Sequence, residues 1–274
     1  MLFTHQEFET AIQEVTFQVS QDILLPKSSQ PPKIPLHLFE ILPSTNKTLW
    51  ELLAGGATIP TAVIAAQQTA GRGQWGRQWQ SQTGGLYLSL ALAPNLQATH
   101  SPQLTFCSAW GIATVLRSYG IPVLLKWPND LILLGRKLGG ILTETRIQQG
   151  YITQAVVGVG INWCNNVPET GINLQSFCQE QSSSTVTSLA MLAAIVLYGL
   201  VVGYQFSLEA GLEKLLLSYQ ELLYHRGCQV IVDGKPGIVT GVTPTGELRV
   251  CLISGAEIAE IHLEPGTISL GYSS

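Results

Sequence analysis

Charged residues are scarce in this chain of 274 residues, since Asp, Glu, Lys and Arg make up only 12% of it. Globular proteins usually contain about twice that share, whereas hydrophobic residues here reach 46%. A disordered chain needs the opposite balance, so we expect one large folded domain and a small one. The formal net charge is −4, and no basic cluster suits a nucleic-acid surface. DNA is therefore not an expected partner.

Paired cysteines are also missing. The five cysteines are widely spaced and form no Cys-x-x-Cys pair, which argues against a disulfide framework or a structural zinc site. The five histidines are dispersed as well, so no metal site is predicted. We interpret the cysteines as buried, small hydrophobic residues of a protein in a reducing compartment.

A secretory signal is not visible in residues 1–7, which lack a basic stretch and an apolar stretch. Residues 181–208 contain no charged residue and have the length of a membrane span. However, Gly199, Gly203 and several polar residues interrupt or flank this segment, and basic flanks are absent. We favour a buried core helix, no membrane partner and a cytoplasmic location.

Three parts can be distinguished along the chain. Residues 1–36 combine a weak amphipathic helix with a proline- and serine-rich linker. Residues 37–224 alternate short apolar strands with helices and form the main domain. Residues 225–274 contain short apolar runs between glycine turns, a pattern typical of a small β-barrel. The fold class is expected to be α+β.

Local patterns place several elements in the main domain. A helix is predicted to begin after Pro43 with a capping hydroxyl from Ser44-Thr45-Asn46, and to end at Gly55. Another helix is predicted to open at Ser101-Pro102. Turns are predicted at residues 127–130 and 135–137, and a helical region at 186–224.

Residues 71–79 read Gly-Arg-Gly-Gln-Trp-Gly-Arg-Gln-Trp. Glycine lets backbone N–H groups approach a ligand, and arginine adds a cation with a planar fork of donors. The loop is therefore predicted to hold a carboxylate or phosphate, with Trp75 and Trp79 excluding water. It fits neither a P-loop nor a dinucleotide fingerprint. The alternative is that both arginines are solvated loop charges.

Three further segments combine polar side chains with glycine or a turn. They are Lys-Trp-Pro-Asn-Asp at 126–130, Lys-Leu-Gly-Gly at 137–140 and Gly-Val-Gly-Ile-Asn at 158–162. Asp130 could orient a cation or Mg²⁺, or accept a proton, and glycine inside a strand often marks close approach by a ligand. The simpler alternatives are a hairpin turn, a bulge with a solvated lysine and a packing pair of glycines.

Together and in this order, these motifs resemble the biotin–protein ligases. The resemblance covers about residues 37–270 and rests on Ser44-Thr45-Asn46, Gln68, the 71–79 loop, and residues 126–130, 137–142 and 158–162. It implies a mixed sheet with helices, class II synthetase-like and of the biotin/lipoate ligase type. It also implies that the C-terminal part is a small SH3-like β-barrel.

The same resemblance implies an activity. Family members activate biotin with ATP, accompanied by Mg²⁺, to biotinyl-5′-adenylate. They then transfer biotin to one lysine of a biotin carboxyl carrier protein domain, as in acetyl-CoA carboxylase. The residues suit this chemistry, because cations and loop N–H donors can neutralise both reacting anions. Residues 1–36 are too short for the winged-helix domain of the repressor-ligases, so we expect a ligase without repressor function, as a monomer or homodimer.

Roles for individual residues are also implied by the resemblance. The residues expected to be catalytic are Arg72, Lys137 and Asp130. Those expected to bind biotin are Ser44, Thr45, Asn46, Gln68, Gly71, Arg72, Gly73, Gln74, Lys137 and Gly140. Those expected to bind the nucleotide are Arg72, Arg77, Trp79, Lys126, Asn129, Asp130 and Asn162. Two positions depart from the family's pattern: many members carry arginine where this chain has Gln74, and some where it has Gly271.

Two alternative functions stay open at this point. A lipoate or octanoate ligase or transferase has a related fold, although it would need a linear acyl pocket. A non-catalytic, biotin-binding regulatory protein would tolerate the loss of Arg72 and Lys137, and both are present.

Overall fold

The computed structural model describes residues 3–20, 33–181, 186–254 and 257–272. Its centre is an eight-stranded mixed sheet. The strands are β1 (Leu36–Leu42), β2 (Ala62–Gln68), β3 (Gly85–Leu92), β4 (Leu96–Gln97), β5 (Leu124–Lys126), β6 (Asp130–Leu133), β7 (Arg136–Gln148) and β8 (Tyr151–Asn162). Their order is β1-β2-β3-β8-β7-β6-β5, and β4 pairs with β8. Only β1 and β2 pair in parallel among the described strands of this sheet.

Helices cover both faces of this sheet. They are α1 (His5–Ser20), α2 (Thr45–Ala54), α3 (Pro102–Ser118), α4 (Leu174–Glu180) and α5 (Leu189–Glu221). Strand β2 illustrates the arrangement, because Ala62 and Ile64 join the main core with α3 and α5, whereas Val63 and Ala65 join a smaller core under α2. Successive side chains of a strand point to opposite faces, so both faces of the sheet are buried.

Helix α5 is long and apolar enough to cross a membrane by length and composition alone, but 78% of its most apolar 18-residue stretch is buried inside the protein. Its main neighbour is α3, and Gly111, Gly199 and Gly203 bring the two backbones together. The predicted helical region is thus a core helix in this structure. A residue with non-helical backbone, Gly211 (φ 79°), interrupts it.

The close crossing of α3 and α5 gives a stability prediction. A methyl group on Gly203 would overlap the carbonyl oxygen of Cys107, so the backbones would have to separate. We expect Gly203→Ala to lower the free energy of unfolding by about 3 kcal/mol, measured by chemical denaturation. Gly271→Ala is the control because its methyl would meet open space. Equal unfolding free energies for both variants would contradict this packing.

The N-terminal segment contributes to the main core. Phe8, Ile12, Val15 and Val19 of α1 are buried there, and α1 contacts α5. The predicted amphipathic helix is therefore present. Most of the predicted linker falls on residues 21–32, which lie outside the described residues, and the domain boundaries near 36 and 224 stay predictions.

The C-terminal part contains the predicted short strands: β9 (Gln229–Val232), β10 (Lys235–Val242), β11 (Leu248–Ser254) and β12 (Glu257–Leu263). They form an antiparallel sheet in the order β12-β11-β10-β9. The described pairings include none between β9 and β12, so closure into an SH3-like barrel stays a prediction. The indole Nε1 of Trp127 donates to the carbonyl of Gly246 (2.8 Å) and ties this sheet to the main domain.

The prediction that the cysteines are buried is correct for Cys107 and wrong for Cys164 and Cys228, which are exposed. Cys178 and Cys251 are half-buried. Small hydrophobic packing therefore accounts for only some of the cysteines.

The predicted turn at 135–137 is displaced. Leu134 and Gly135 have positive φ and make the turn, whereas β7 already begins at Arg136. Lys137 is therefore a strand residue, and the strand fixes the position of its Cα atom. This placement is what brings Lys137 to the site described next.

Candidate functional site

A cavity of about 570 Å³ lies where the 71–79 loop, the start of α2, the β5–β6 turn, β7, β8 and residues 266–272 meet. All the site residues predicted from sequence line it, except Gly71 and Asn162. The Gly71 carbonyl accepts from the Trp79 N–H (3.0 Å) and closes the base of the loop. The Asn162 amide lies behind the site and donates to the carbonyl of Lys137 (3.4 Å). Direct ligand contacts from these two residues stay predictions.

The glycine-rich loop folds back on itself at the mouth of this cavity. The N–H of Gly73 donates to the carbonyl of Arg77 (2.7 Å), and a short turn spans Gln74–Gly76. Trp79 is half-buried in the wall, whereas Trp75 is 54% exposed at the rim and faces Gly266 of the C-terminal tail. The loop thus meets the tail across the opening, as a lid would.

A first group of residues, the polar cluster, consists of Ser44, Thr45, Asn46 and Gln68. The backbone N–H of Thr45 donates to Gln68 Oε1 (2.8 Å), and Gln68 Nε2 donates to Ser81 Oγ (2.8 Å). Ser89 Oγ lies 2.7 Å from Thr45 Oγ1 and 2.6 Å from Asn46 Oδ1. Thr45, Asn46 and Gln68 are therefore held in fixed orientations by hydrogen bonds.

Ser44 corrects one prediction from the sequence. It occupies the cap position of α2 with extended backbone (φ −163°), but its side chain makes no capping hydrogen bond. The predicted capping hydroxyl is therefore wrong for this residue. The Ser44 hydroxyl remains available to the cavity that Ser44 lines.

The amide of Asn46 is almost fully occupied. Its Nδ2 donates to the carboxylate Oε2 of Glu144 (2.8 Å) and to the carbonyl of Leu142 (3.3 Å), which uses both N–H donors. Its Oδ1 faces the hydroxyl of Ser89, and one lone pair remains. Asn46 can therefore offer a ligand an acceptor and no donor.

A second group, the cationic cluster, consists of Lys126, Lys137, Asp130 and Tyr272. Lys137 Nζ lies 2.7 Å from Asp130 Oδ1, and the Tyr272 hydroxyl donates to Asp130 Oδ2 (2.5 Å). Lys126 Nζ lies 3.8 Å from the centre of the Tyr272 ring. Asp130 and Lys126 are each only 8% exposed, so these charges act on one another in a poorly hydrated place.

Burial shifts the pKa values of two residues in this cluster. Burial lowers the pKa of Lys126, against the opposing effect of the Asp130 charge, and Lys137 and Arg77 lower it further. Burial, followed by the charge of Asp130, raises the pKa of the Tyr272 phenol. Tyr272 is thus a neutral donor to Asp130 across the physiological range.

The strands set the distance between the two clusters. Along β7 and β8, Leu142 pairs with Gly158 beside the polar cluster, and Gly140 pairs with Gly160 beside the cationic cluster. A side chain on Gly158 would overlap Asn46, and one on Gly160 would overlap Trp79. The glycine pair that the sequence singled out therefore leaves room for functional side chains.

Sequence reasoning missed Tyr272, Glu144 and Ser89 as contributors to the site. Ser89 gave a usable signal, since it is a fully buried hydroxyl within the apolar strand β3. Glu144 follows the Lys-Leu-Gly-Gly segment along β7, but its spacing alone does not point to Asn46. Tyr272 gave no signal, because no pattern places a terminal tyrosine beside Asp130.

Comparison with known proteins shows the family of this chain. Residues 38–162 match the model of the Biotin/lipoate A/B protein ligase family. The bifunctional ligase/repressor BirA of Salmonella typhimurium is 33% identical over 214 residues, which cover 76% of this chain and 67% of that protein. The chain therefore belongs to the Biotin/lipoate A/B protein ligase family.

Two further matches extend this result. A biotin–[acetyl-CoA-carboxylase] ligase of Paracoccus denitrificans is 34% identical over 131 residues, 47% of this chain and 54% of that protein. The biotin protein ligase of Aquifex aeolicus, solved in complex with biotin and ATP, is 26% identical with a TM-score of 0.67, covering 87% of this chain and 99% of that one. The predicted mixed sheet of the biotin/lipoate ligase type is thus confirmed. In relatives at 39–40% identity, the chain spans only 38% of their length.

Proposed function

We propose that this protein activates biotin with ATP to biotinyl-5′-adenylate and transfers the biotinyl group to a lysine of a carrier protein. The observation that carries the proposal is the pairing of two different clusters in one cavity. The polar cluster offers fixed, uncharged hydrogen-bonding groups, and the cationic cluster offers charges for anions. Biotin has the same two parts, a neutral ureido ring and a carboxylate.

The polar cluster favours a ureido ring over other cofactor head groups. Asn46 has only an acceptor left for a ligand, and a ureido N–H is a donor that matches it. The hydroxyl of Ser44 makes no capping hydrogen bond, and as part of the cavity lining it could donate to the ureido carbonyl. The dithiolane ring of lipoate and the chain of octanoate have no N–H group, so they would leave these polar groups unpaired at a cost in binding.

The charged residues suit attack of one anion on another. Arg72, Arg77, Lys126 and Lys137 line the same cavity, and Asp130 is the only carboxylate among its described lining residues. In the first step a biotin carboxylate oxygen bonds to the α-phosphorus of ATP, and the bond to pyrophosphate breaks. In the second step the lysine amine attacks the acyl carbon and AMP leaves. Fixed cations lower the barrier of the first step because they offset the mutual repulsion of the two anions.

Magnesium fits this scheme as part of the nucleotide substrate. Both oxygens of Asp130 are already engaged, one by Lys137 and the other by Tyr272. The described residues contain no group of three or more His, Cys, Asp or Glu side chains suited to a metal. We therefore infer that Mg²⁺ is carried by the phosphates of ATP.

The protein that accepts biotin and the cellular location are further parts of the proposal. We infer a biotin carboxyl carrier protein domain of acetyl-CoA carboxylase as the acceptor, supported by the name of the Paracoccus denitrificans relative. A cytoplasmic location fits such a partner. The proposal covers the ligase activity and includes no repressor function. Both a monomer and a homodimer are compatible with this activity.

Pyrophosphate release tests the proposed function. With ATP present, we expect pyrophosphate to appear only after biotin is added, and not with lipoate or octanoate. Release of pyrophosphate with lipoate or octanoate, but not with biotin, would instead identify a lipoate or octanoate ligase. Tight binding of biotin without any pyrophosphate release would identify a non-catalytic binder.

The loop supplies a separate prediction at Gln74. Its buried Oε1 has no hydrogen-bond partner in the described part of the chain, and it lines the cavity. Replacing it by arginine adds a charge-assisted donor beside the adenylate, so we expect Gln74→Arg to slow release of biotinyl-adenylate roughly 10-fold. Retention is measured by rapid gel filtration. Gln80→Arg adds the same charge outside the cavity lining, and equal retention in both variants would exclude position 74 from holding the intermediate.

A further inference from the structure

We propose that Glu144 is a positioning residue that couples recognition of the biotin ring to the orientation of Arg72. The proposal rests on the function proposed above and deepens it. One carboxylate oxygen, Glu144 Oε2, accepts from Asn46 Nδ2 (2.8 Å) and from the NH2 group of Arg72 (2.9 Å). A single atom therefore joins the polar cluster to the arginine of the glycine-rich loop.

Glu144 itself lies outside the cavity. It is absent from the described lining and borders two neighbouring depressions that Arg72 also lines. Its side chain is only 27% exposed, compared with 46% for Arg72. It acts through the two residues that it holds and not by touching a substrate.

The first effect of Glu144 concerns the amide of Asn46. A carboxylate can only accept hydrogen bonds, so it forces the Nδ2 end of the amide toward itself. The Oδ1 end then faces Ser89 and the ligand. The Ser89 hydroxyl can donate or accept, so it is compatible with either orientation of the Asn46 amide. Apart from Glu144, the described contacts of Asn46 include one other group that favours the observed orientation, the carbonyl of Leu142. Glu144 is therefore the stronger of the two groups that make Asn46 an acceptor for a ureido N–H.

The second effect concerns Arg72. Its guanidinium has five N–H donors in a rigid plane, and Glu144 occupies one of its nitrogens. That contact fixes the plane on a loop that is otherwise held mainly by hydrogen bonds between backbone groups, such as Gly73 to Arg77. The remaining donors stay free for the carboxylate and phosphate of the substrates. Glu144 thus aligns Arg72 without blocking it.

Two substitutions separate these effects in steady-state assays of pyrophosphate release. Glu144→Gln keeps an acceptor oxygen for Asn46 but loses the charge that holds Arg72. We expect it to lower kcat roughly 10-fold, with the KM for biotin within about twofold of the parent value. Glu144→Ala loses both contacts, so the KM for biotin should also rise roughly 10-fold. The KM for ATP should change less than that for biotin in both variants.

A matched control is available in the C-terminal sheet. Glu260 forms an ion pair with Arg249 (2.7 Å) away from the described lining of the cavity. Glu260→Ala should leave both biotin KM and kcat unchanged, and thermal unfolding should show that all variants remain folded. If Glu144→Gln and Glu144→Ala give the same constants as Glu260→Ala, Glu144 does not position the site. If the parent protein itself releases no pyrophosphate with biotin, the proposed function fails, but the coupling through Glu144 can still be tested by isothermal titration with biotin. A roughly 10-fold weaker affinity for biotin in Glu144→Ala supports the coupling. An unchanged affinity overturns it.

Discussion

Replacing Lys137 by methionine is expected to reduce biotin-dependent release of pyrophosphate by about 10³-fold, the scale for loss of one preorganised group that stabilises developing charge. Methionine retains an apolar stem of comparable length, so the change removes mainly the ammonium group. That group lies 2.7 Å from Asp130 on a strand of the central sheet. Without it, the attacking carboxylate and the phosphate lose a fixed cation, and the buried Asp130 carboxylate loses its partner.

The rate of biotinyl-adenylate formation is measured in a single turnover by rapid quench. Lys235→Met is the control because Lys235 is exposed on β10, outside the described cavity lining. Binding of biotin by isothermal titration should fall far less than the rate, since the ring contacts lie in the polar cluster. A Lys137→Met rate within about threefold of the parent rate would remove Lys137 from the catalytic group.

The second large effect is expected in the transfer step. Asp130→Asn should slow transfer of biotin from preformed biotinyl-adenylate to the carrier lysine by about 10²-fold, the usual scale for a lost acid–base group. Asp130 is the carboxylate of the cavity, and it is held by Lys137 and by the Tyr272 hydroxyl. Its role in orienting or deprotonating the amine requires Tyr272 to yield one oxygen. Formation of the adenylate should be affected less than transfer.

Supplying purified biotinyl-adenylate isolates that step. Asp233→Asn makes the same chemical change at an exposed turn between β9 and β10 and should transfer at the parent rate. An Asp130→Asn protein that transfers biotin at the parent rate would show that the amine needs no carboxylate. Asp130 would then have only a structural role, as the partner of Lys137 and Tyr272.

Sequence patterns predicted the main elements well, because apolar periodicity and glycine or proline punctuation reflect local backbone preferences. Helix α5 and strand β8 follow directly from their apolar runs. The turn predicted at 135–137 begins one residue earlier and ends two residues earlier, since Leu134 adopts positive φ, a conformation that its side chain does not suggest. The exact start of a strand depends on partners elsewhere in the sheet, which local patterns do not contain.

The site shows the same division between local and long-range information. The resemblance brought together residues that the fold places around one cavity, from Ser44 to Gly140. It did not indicate that Ser44 makes no capping hydrogen bond, or that Glu144 joins Asn46 to Arg72. Tyr272 reaches Asp130 over a separation of 142 residues. Such contacts follow from tertiary packing, and only a structure provides them.

We propose that this cavity gives the protein its specificity for biotin over lipoate and octanoate. The most direct test is the intact mass of a purified biotin carboxyl carrier protein domain after incubation with this protein, ATP and an equimolar mixture of biotin, lipoate and octanoate. We expect the carrier to gain the mass of one biotinyl group, and a carrier with its acceptor lysine replaced by arginine to gain none. A carrier that remains unmodified, or that gains a lipoyl or octanoyl group instead, would contradict the claim.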